Sequence, residues 1–124
     1  MSAGLLDTSV IVSGIDPAEA VELPDEFAIS VMTIGELHAG VLSARTGATR
    51  ASRLQRLSDV QRDFPAIDID VGTAQRFGEL RASSGRRGVA DLLIAATALH
   101  HEMTLVTRDE RQARLLKGTI LLGG

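Results

Sequence analysis

The chain contains no cysteine, no tryptophan and no tyrosine, and it carries only three prolines and three phenylalanines. Without cysteine there is no disulfide, no thiolate metal site and no thiol nucleophile, and a reducing cytoplasm is compatible with the composition. With aromatics at 2%, base stacking is not available as a main binding device, so any nucleic-acid contact must run through phosphates. No run of 18 apolar residues occurs, and no N-terminal segment joins a basic start, an apolar run and a cleavage site. A soluble, unexported, cytoplasmic protein with no membrane partner is therefore expected. The net charge of −3 argues against a protein that coats nucleic acid by bulk charge.

What is present is a chain of 124 residues with 44% hydrophobic content, enough for one domain over 1–124 with a real core. Its bases are almost all arginine, grouped as Arg45, Arg50, Arg53, Arg56 and Arg62, then Arg76, Arg81, Arg86 and Arg87, then Arg108, Arg111 and Arg114. Arginine presents a planar fork of donors suited to phosphate. The plain reading of most of them is a solvated helix face paired with Asp59, Asp63 and Glu79.

Short apolar runs alternate with helical patterns. Strands are predicted at "AGLLD" (3–7), "FAIS" (27–30), "AIDID" (66–70), "TLVT" (104–107) and "TILL" (119–122). Helices are predicted over 31–45, with an apolar stripe of Ile34, Leu37, Val41 and Leu42, and over 49–64, with Leu54, Leu57 and Val60. Further helices are predicted over 71–85, 89–101 and 109–117. Pro17 and Pro24 bracket a poorly patterned loop, and "SSGRRG" (83–88) is a glycine-bounded connector. Strands separated by helices of this length imply βαβ crossovers, hence an α/β fold with a mostly parallel sheet covered on both faces. Ligands of such a sheet sit at the carboxyl ends of its strands.

Four acids fall at that edge. Asp7 closes the first strand, Glu36 lies one turn into the helix after "FAIS", Asp91 starts the most apolar helix, and Asp109 follows "TLVT" after one arginine. Each has a structural excuse as a helix cap or dipole partner. Together they are harder to explain that way. Two bare carboxylates 4 Å apart repel by about 4 kcal/mol at an effective dielectric near 20. A helix N-terminus returns only about 0.3–1 kcal/mol. A divalent cation is the natural neutraliser, and an oxygen-only donor set favours Mg2+ or Mn2+ over zinc. His38 is assigned to the surface or a dimer contact, His100 and His101 to a helix end, and Met32 and Met103 to core filling.

The strings "LLDTS" (5–9), "ISVMTIGELHAG" (29–40), "VADLLIAATALHHEMTLVTRD" (89–109) and the following "RQARL" resemble a PIN-domain ribonuclease, and more narrowly the VapC toxins of type II toxin–antitoxin systems. The resemblance implies a PIN-like three-layer α/β/α sandwich with a mostly parallel central sheet, and a metal-dependent endoribonuclease that inhibits translation and growth. It puts Asp7, Glu36, Asp91 and Asp109 in the catalytic positions, with Asp7 and Asp91 on the metal and Glu36 and Asp109 completing the shell directly or through water. Thr8, Ser9 and Thr107 stand where supporting hydroxyls occur. Mg2+ is the implied cofactor, with Mn2+ as a substitute, and RNA the substrate, cut to leave 5′-phosphate and 3′-hydroxyl ends. Arg86, Arg87 and Arg108 are the candidates for holding the RNA backbone. A cognate VapB-type antitoxin and a homodimer are the implied partners. The stretch between Gly14 and Phe27 departs from the family pattern and predicts a stunted first helix. Two rivals remain open: a housekeeping PIN nuclease in RNA processing, and a non-catalytic binding domain whose acids hold a structural ion. A nucleotide-binding α/β protein is weaker, since no GxGxxG or GxxxxGK[ST] follows the first strand.

Overall fold

The computed structural model describes residues 3–85 and 87–123. Its elements in chain order are β1 (Gly4–Leu6), α1 (Thr8–Ser13), α2 (Pro17–Ala20), β2 (Phe27–Ser30), α3 (Val31–Leu42), α4 (Gly47–Asp63), β3 (Ala66–Ile67), α5 (Val71–Ser84), α6 (Val89–His100), β4 (Thr104–Thr107), α7 (Glu110–Ala113) and β5 (Ile120–Leu121). The strands pair in the order β3-β2-β1-β4-β5, and every pairing is parallel. The fold is the expected three-layer α/β/α sandwich.

Alternation along the strands builds the layers. Successive side chains of a strand point to opposite faces, and the three central strands each carry two apolar neighbours in sequence. Leu6, Ile29 and Val106 join one core with Val10, Leu37, Val41, Leu57 and Val60, under α1, α3 and α4. Leu5, Ala28 and Leu105 join the other with Leu80, Leu92, Ile94, Ala95, Ala96 and Ala98, under α5 and α6. The alanines of α6 let it lie close against its neighbours, which explains why the most apolar helix is also the most deeply buried.

The strand order positions the site. The chain steps from β1 outward through β2 to β3, then returns to the other side of β1 for β4 and β5. The order reverses between β1 and β4, so the crevice opens beyond Leu6 and Thr107, where an α/β sheet receives ligands.

Several local expectations are corrected. The loop begun by Pro17 contains α2: the Asp16 side chain accepts from Glu19 N, the Glu19 side chain accepts from Asp16 N, and Pro17 occupies the first turn, where a missing N–H costs nothing. The third strand stops at Ile67, because Asp70 leaves the sheet to cap α5 through Thr73 N at 2.8 Å. The last helix runs only from Glu110 to Ala113. Leu42, counted in the apolar stripe, is 77% exposed, since it lies about 100° round the helix from Val41. Leu54 is also exposed. Gly85 ends α5 at φ +68, a conformation that favours glycine.

Candidate metal centre

Asp7 stands at the N-cap of α1, yet its side chain makes no capping bond. It is 5% exposed. Ser9 Oγ donates to its Oδ2 at 2.7 Å and Thr107 Oγ1 donates to the same oxygen at 2.8 Å. Among the described residues Oδ1 receives no hydrogen bond and no base forms an ion pair with the carboxylate. Acids are almost never buried without a partner, because desolvating the charge is costly. A buried carboxylate aimed by two hydroxyls, with one oxygen left over, has the form of a cation ligand held by its surroundings.

The hydroxyl residues are arranged around it. Ser9 Oγ also accepts from Arg108 N at 3.1 Å, and Thr107 Oγ1 accepts from Asp109 N at 3.0 Å, so each passes order from β4 to Asp7. Thr8 donates to Glu36 Oε1 at 2.6 Å, and its oxygen lies 3.0 Å from the fully buried Thr33 Oγ1. Thr8 thus ties Glu36, half-buried on α3, to the residue after Asp7.

Asp91 sits in the first turn of α6, half-buried, with Arg87 Nη2 at 3.4 Å. Burial pushes its carboxyl above the ordinary range. The Arg87 charge opposes that rise, and the nearby charges of Asp7 and Asp109 reinforce it. Asp7 and Asp109 thus both lie near enough to Asp91 to bear on its charge. Asp109 does cap α7, accepting from Arg111 N at 2.8 Å and Gln112 N at 3.4 Å through Oδ1. The cap reading holds for that oxygen and leaves Oδ2 facing no described donor. The donors at this edge are all oxygens, a set that suits a hard divalent cation. Asp7 and Asp91 could hold it, with Glu36 and Asp109 behind them.

Gln112 was not singled out in the sequence. It is fully buried; its Nε2 donates to Asp91 O at 2.8 Å and its Oε1 accepts from Arg87 Nη2 at 3.0 Å, so it locks α7 to the start of α6. A lone glutamine in a short polar helix gives no pattern to announce this. Arg87, expected on RNA, is nine-tenths buried in that lock. Arg108, also expected there, spends its guanidinium inside the chain: Nη2 donates to Glu19 Oε1 at 2.6 Å, Nη1 to Glu19 Oε2 at 2.9 Å, and Nη2 to Gly14 O at 2.7 Å. Arg86 lies outside the described residues. A cleft of about 360 Å3 is lined by Ser83, Ser84, Arg87, Arg111, Arg114 and Leu115, and Arg87 links it to Asp91 at 3.4 Å. His38 is exposed, as expected.

Comparison with known proteins agrees with this fold. A family model described as "PIN domain" matches residues 4–117. Ribonuclease VapC5 of Mycobacterium tuberculosis is 40% identical over 121 residues, covering 92% of this chain and 88% of the relative. Ribonuclease VapC4 of the same organism is 36% identical over 120 residues, covering 90% and 89%. The crystal structure of VapBC-5, a member of the VapBC family of toxin–antitoxin systems from Mycobacterium tuberculosis, matches with a TM-score of 0.83 at 36% identity, covering 98% of this chain and all of that one. FitAcB from Neisseria gonorrhoeae matches at 0.78 and 25% identity, covering 96% of each chain. A parallel sheet reversing at β1, a family model matching 4–117 and relatives that match almost end to end make this chain a member of the PIN-domain family, of the VapC kind.

Proposed function

We propose that the protein is a divalent-cation-dependent endoribonuclease, the toxin of a VapBC-type toxin–antitoxin module, with Mg2+ as the cofactor and Mn2+ as a substitute. The observation that carries this reading is Asp7, 5% exposed, held by Ser9 and Thr107, and set against further acids with no described base to pair with it.

When bound, the cation supplies a more acidic water and neutralises charge on the scissile phosphate. The protein's own residues prepare for it. Ser9 and Thr107 take Oδ2 of Asp7 and so leave Oδ1 to the cation. Gln112 and Arg87 fix the first turn of α6 and with it the approach of Asp91. Thr8 holds Glu36 in place through the hydrogen bond it donates to Oε1. Asp109, held by its cap, completes the acidic edge. Arg111 and Arg114 carry the flanking RNA phosphates along the cleft they line, a positioning task without base readout. The absence of stacking aromatics fits such backbone recognition.

A VapB-type antitoxin is the partner that this family membership supports, because the matched VapBC structure is of a toxin–antitoxin family. A homodimer is the expected assembly, and the exposed Leu42 and Leu54 on α3 and α4 offer apolar surface for it. RNA cleavage with Mg2+ or Mn2+ by the parent, Asp7→Asn and Asp91→Asn tests the reading. Cleavage by the parent alone is expected, and undiminished cleavage by both variants would remove the mechanism. Sequencing the RNA ends formed on induced expression, with and without a neighbouring antitoxin frame, separates a toxin from a housekeeping nuclease.

A further inference from the structure

At the other end of α6 a second constellation has no part in this chemistry. We propose that Asp70, His100 and His101 form a binding site for a first-row transition cation of the Zn2+ class, held by one carboxylate oxygen and two imidazole nitrogens with water completing the shell.

The ligand-type atoms of these three residues lie within 4.8 Å of one another, and among the described residues they are the set of histidines and acids gathered this closely. Asp70 Oδ1 lies 3.6 Å from His100 Nε2. That is too long for a good hydrogen bond. It is close to the separation of about 3.4 Å between two ligands on one tetrahedral ion with bonds near 2.0–2.1 Å. The His100 and His101 rings meet edge to face at 4.8 Å, so two consecutive imidazoles are presented together at the helix end.

Two features hold the ligands in place. Thr73 N donates to Asp70 Oδ1 at 2.8 Å, which orients the carboxylate as a neighbour of a metal ligand usually does. Independently, His100 is seated directly on the backbone of Gly72. A Cβ added there would lie 2.0 Å from His100 Cε1 and 2.3 Å from its Nε2. Glycine weakens a helix relative to alanine, yet it stands in the first turn of α5, where it makes room for this ring. Nothing in the acidic edge requires that space.

The donor set differs in kind from the edge at β1 and β4. Two imidazoles and one carboxylate suit a borderline transition ion, whereas Mg2+ prefers oxygen alone. Partial exposure of His100, with Asp70 and His101 both exposed, leaves room for a water ligand and an entry path. The two sites also stand apart: Asp91 and His100 are nine residues apart on one helix, a rise of about 14 Å. An ion here would clamp the start of α5 to the end of α6 and leave the RNA-cleaving edge untouched.

Co2+ is the probe, because its visible absorption is strong in four-coordinate sites and weak in the six-coordinate geometry of an oxygen-ligated, Mg2+-like site. The full chain is titrated with Co2+ in a large excess of Mg2+, and Zn2+ is then added as a competitor. A visible band that saturates and is displaced by Zn2+ is expected. Its apparent affinity should fall at least about tenfold in His100→Gln, in His101→Gln and in Asp70→Asn, and stay unchanged in Asp7→Asn. Gly72→Ala keeps every ligand but displaces His100, so it should weaken Co2+ as well. Absence of the band, its survival when both histidines are replaced, or its loss in Asp7→Asn would each overturn the site.

Discussion

Thr107 donates to Asp7 Oδ2 at 2.8 Å, joining the ends of two adjacent parallel strands whose residues lie 100 apart in sequence. Both residues are buried, at 0% and 5% exposure. Thr107→Val keeps the shape and removes the donor, leaving Asp7 with Ser9 alone. Loss of a buried hydrogen bond to a charged group costs about 1.5–3 kcal/mol, and loss of a group that orients a ligand weakens a metal about 10–100-fold. The expected outcome is a lower midpoint in urea and a cleavage rate that recovers part of its value at high Mg2+. Mg2+ titration of RNA cleavage reads the second effect.

Asp91 responds to pH in a defined direction. Burial first, then Asp7 and Asp109, raise its carboxyl, while Arg87 opposes them. A carboxyl raised on folding adds stability that is full below its unfolded value and is lost as the pH climbs through its folded value. Asp91→Asn removes that loss. In chelator the variant should therefore melt higher than the parent at neutral pH, with the advantage shrinking toward pH 3, and added Mg2+ should raise the parent's Tm but not the variant's. Melting curves across pH check both halves.

Gln112 bridges Arg87 and the Asp91 carbonyl with no exposure to solvent. Gln112→Ala leaves the buried Arg87 Nη2 without its 3.0 Å acceptor, at a cost of about 1–3 kcal/mol. Cleavage measured well below the melting point should fall as well, because the first turn of α6 loses its anchor. Urea unfolding and single-turnover cleavage report the two consequences separately.

The arginines divide into those spent within the fold and those left for phosphate. Arg111→Ala and Arg114→Ala should each reduce the slope of log affinity for single-stranded RNA against log salt by about 0.7, with little change in Tm. Arg108→Ala should do the reverse. It loses the paired contact to Glu19, whose carboxyl Arg108 holds below the usual range, so Tm drops while the salt slope stays. Because the Glu19 shift is downward, the stability it brings is present above the ordinary carboxylate value and fades as pH falls through the lowered one.

Much of the architecture was legible because it is local. Leu5–Leu6, Ala28–Ile29 and Leu105–Val106 announce strands covered on both faces, and Ile94 to Ala98 announce a helix with no wet side. Asp7, Asp91 and Asp109 stood out because each breaks an apolar pattern at its end. Contacts between distant, individually unremarkable residues were not legible. Gln112 meets Arg87 across 25 residues and Arg108 meets Glu19 across 89, and neither pairing leaves a period to read. Leu42 misled because its neighbour Val41 is buried, and one helical step was enough to turn it outward. The short α2 was hidden by its prolines, which read as loop punctuation although one of them begins the helix.

The central claim is that Asp7 and Asp91 share one hard cation. Anomalous diffraction from crystals grown with Mn2+, with EDTA-soaked crystals as a separate control, tests it most directly. A Mn2+ peak bonded to Asp7 Oδ1 and to the Asp91 carboxylate, absent from Asp7→Asn crystals, is the predicted result. Full Mn2+ loading elsewhere, with Asp7 and Asp91 bound to no ion, would contradict it.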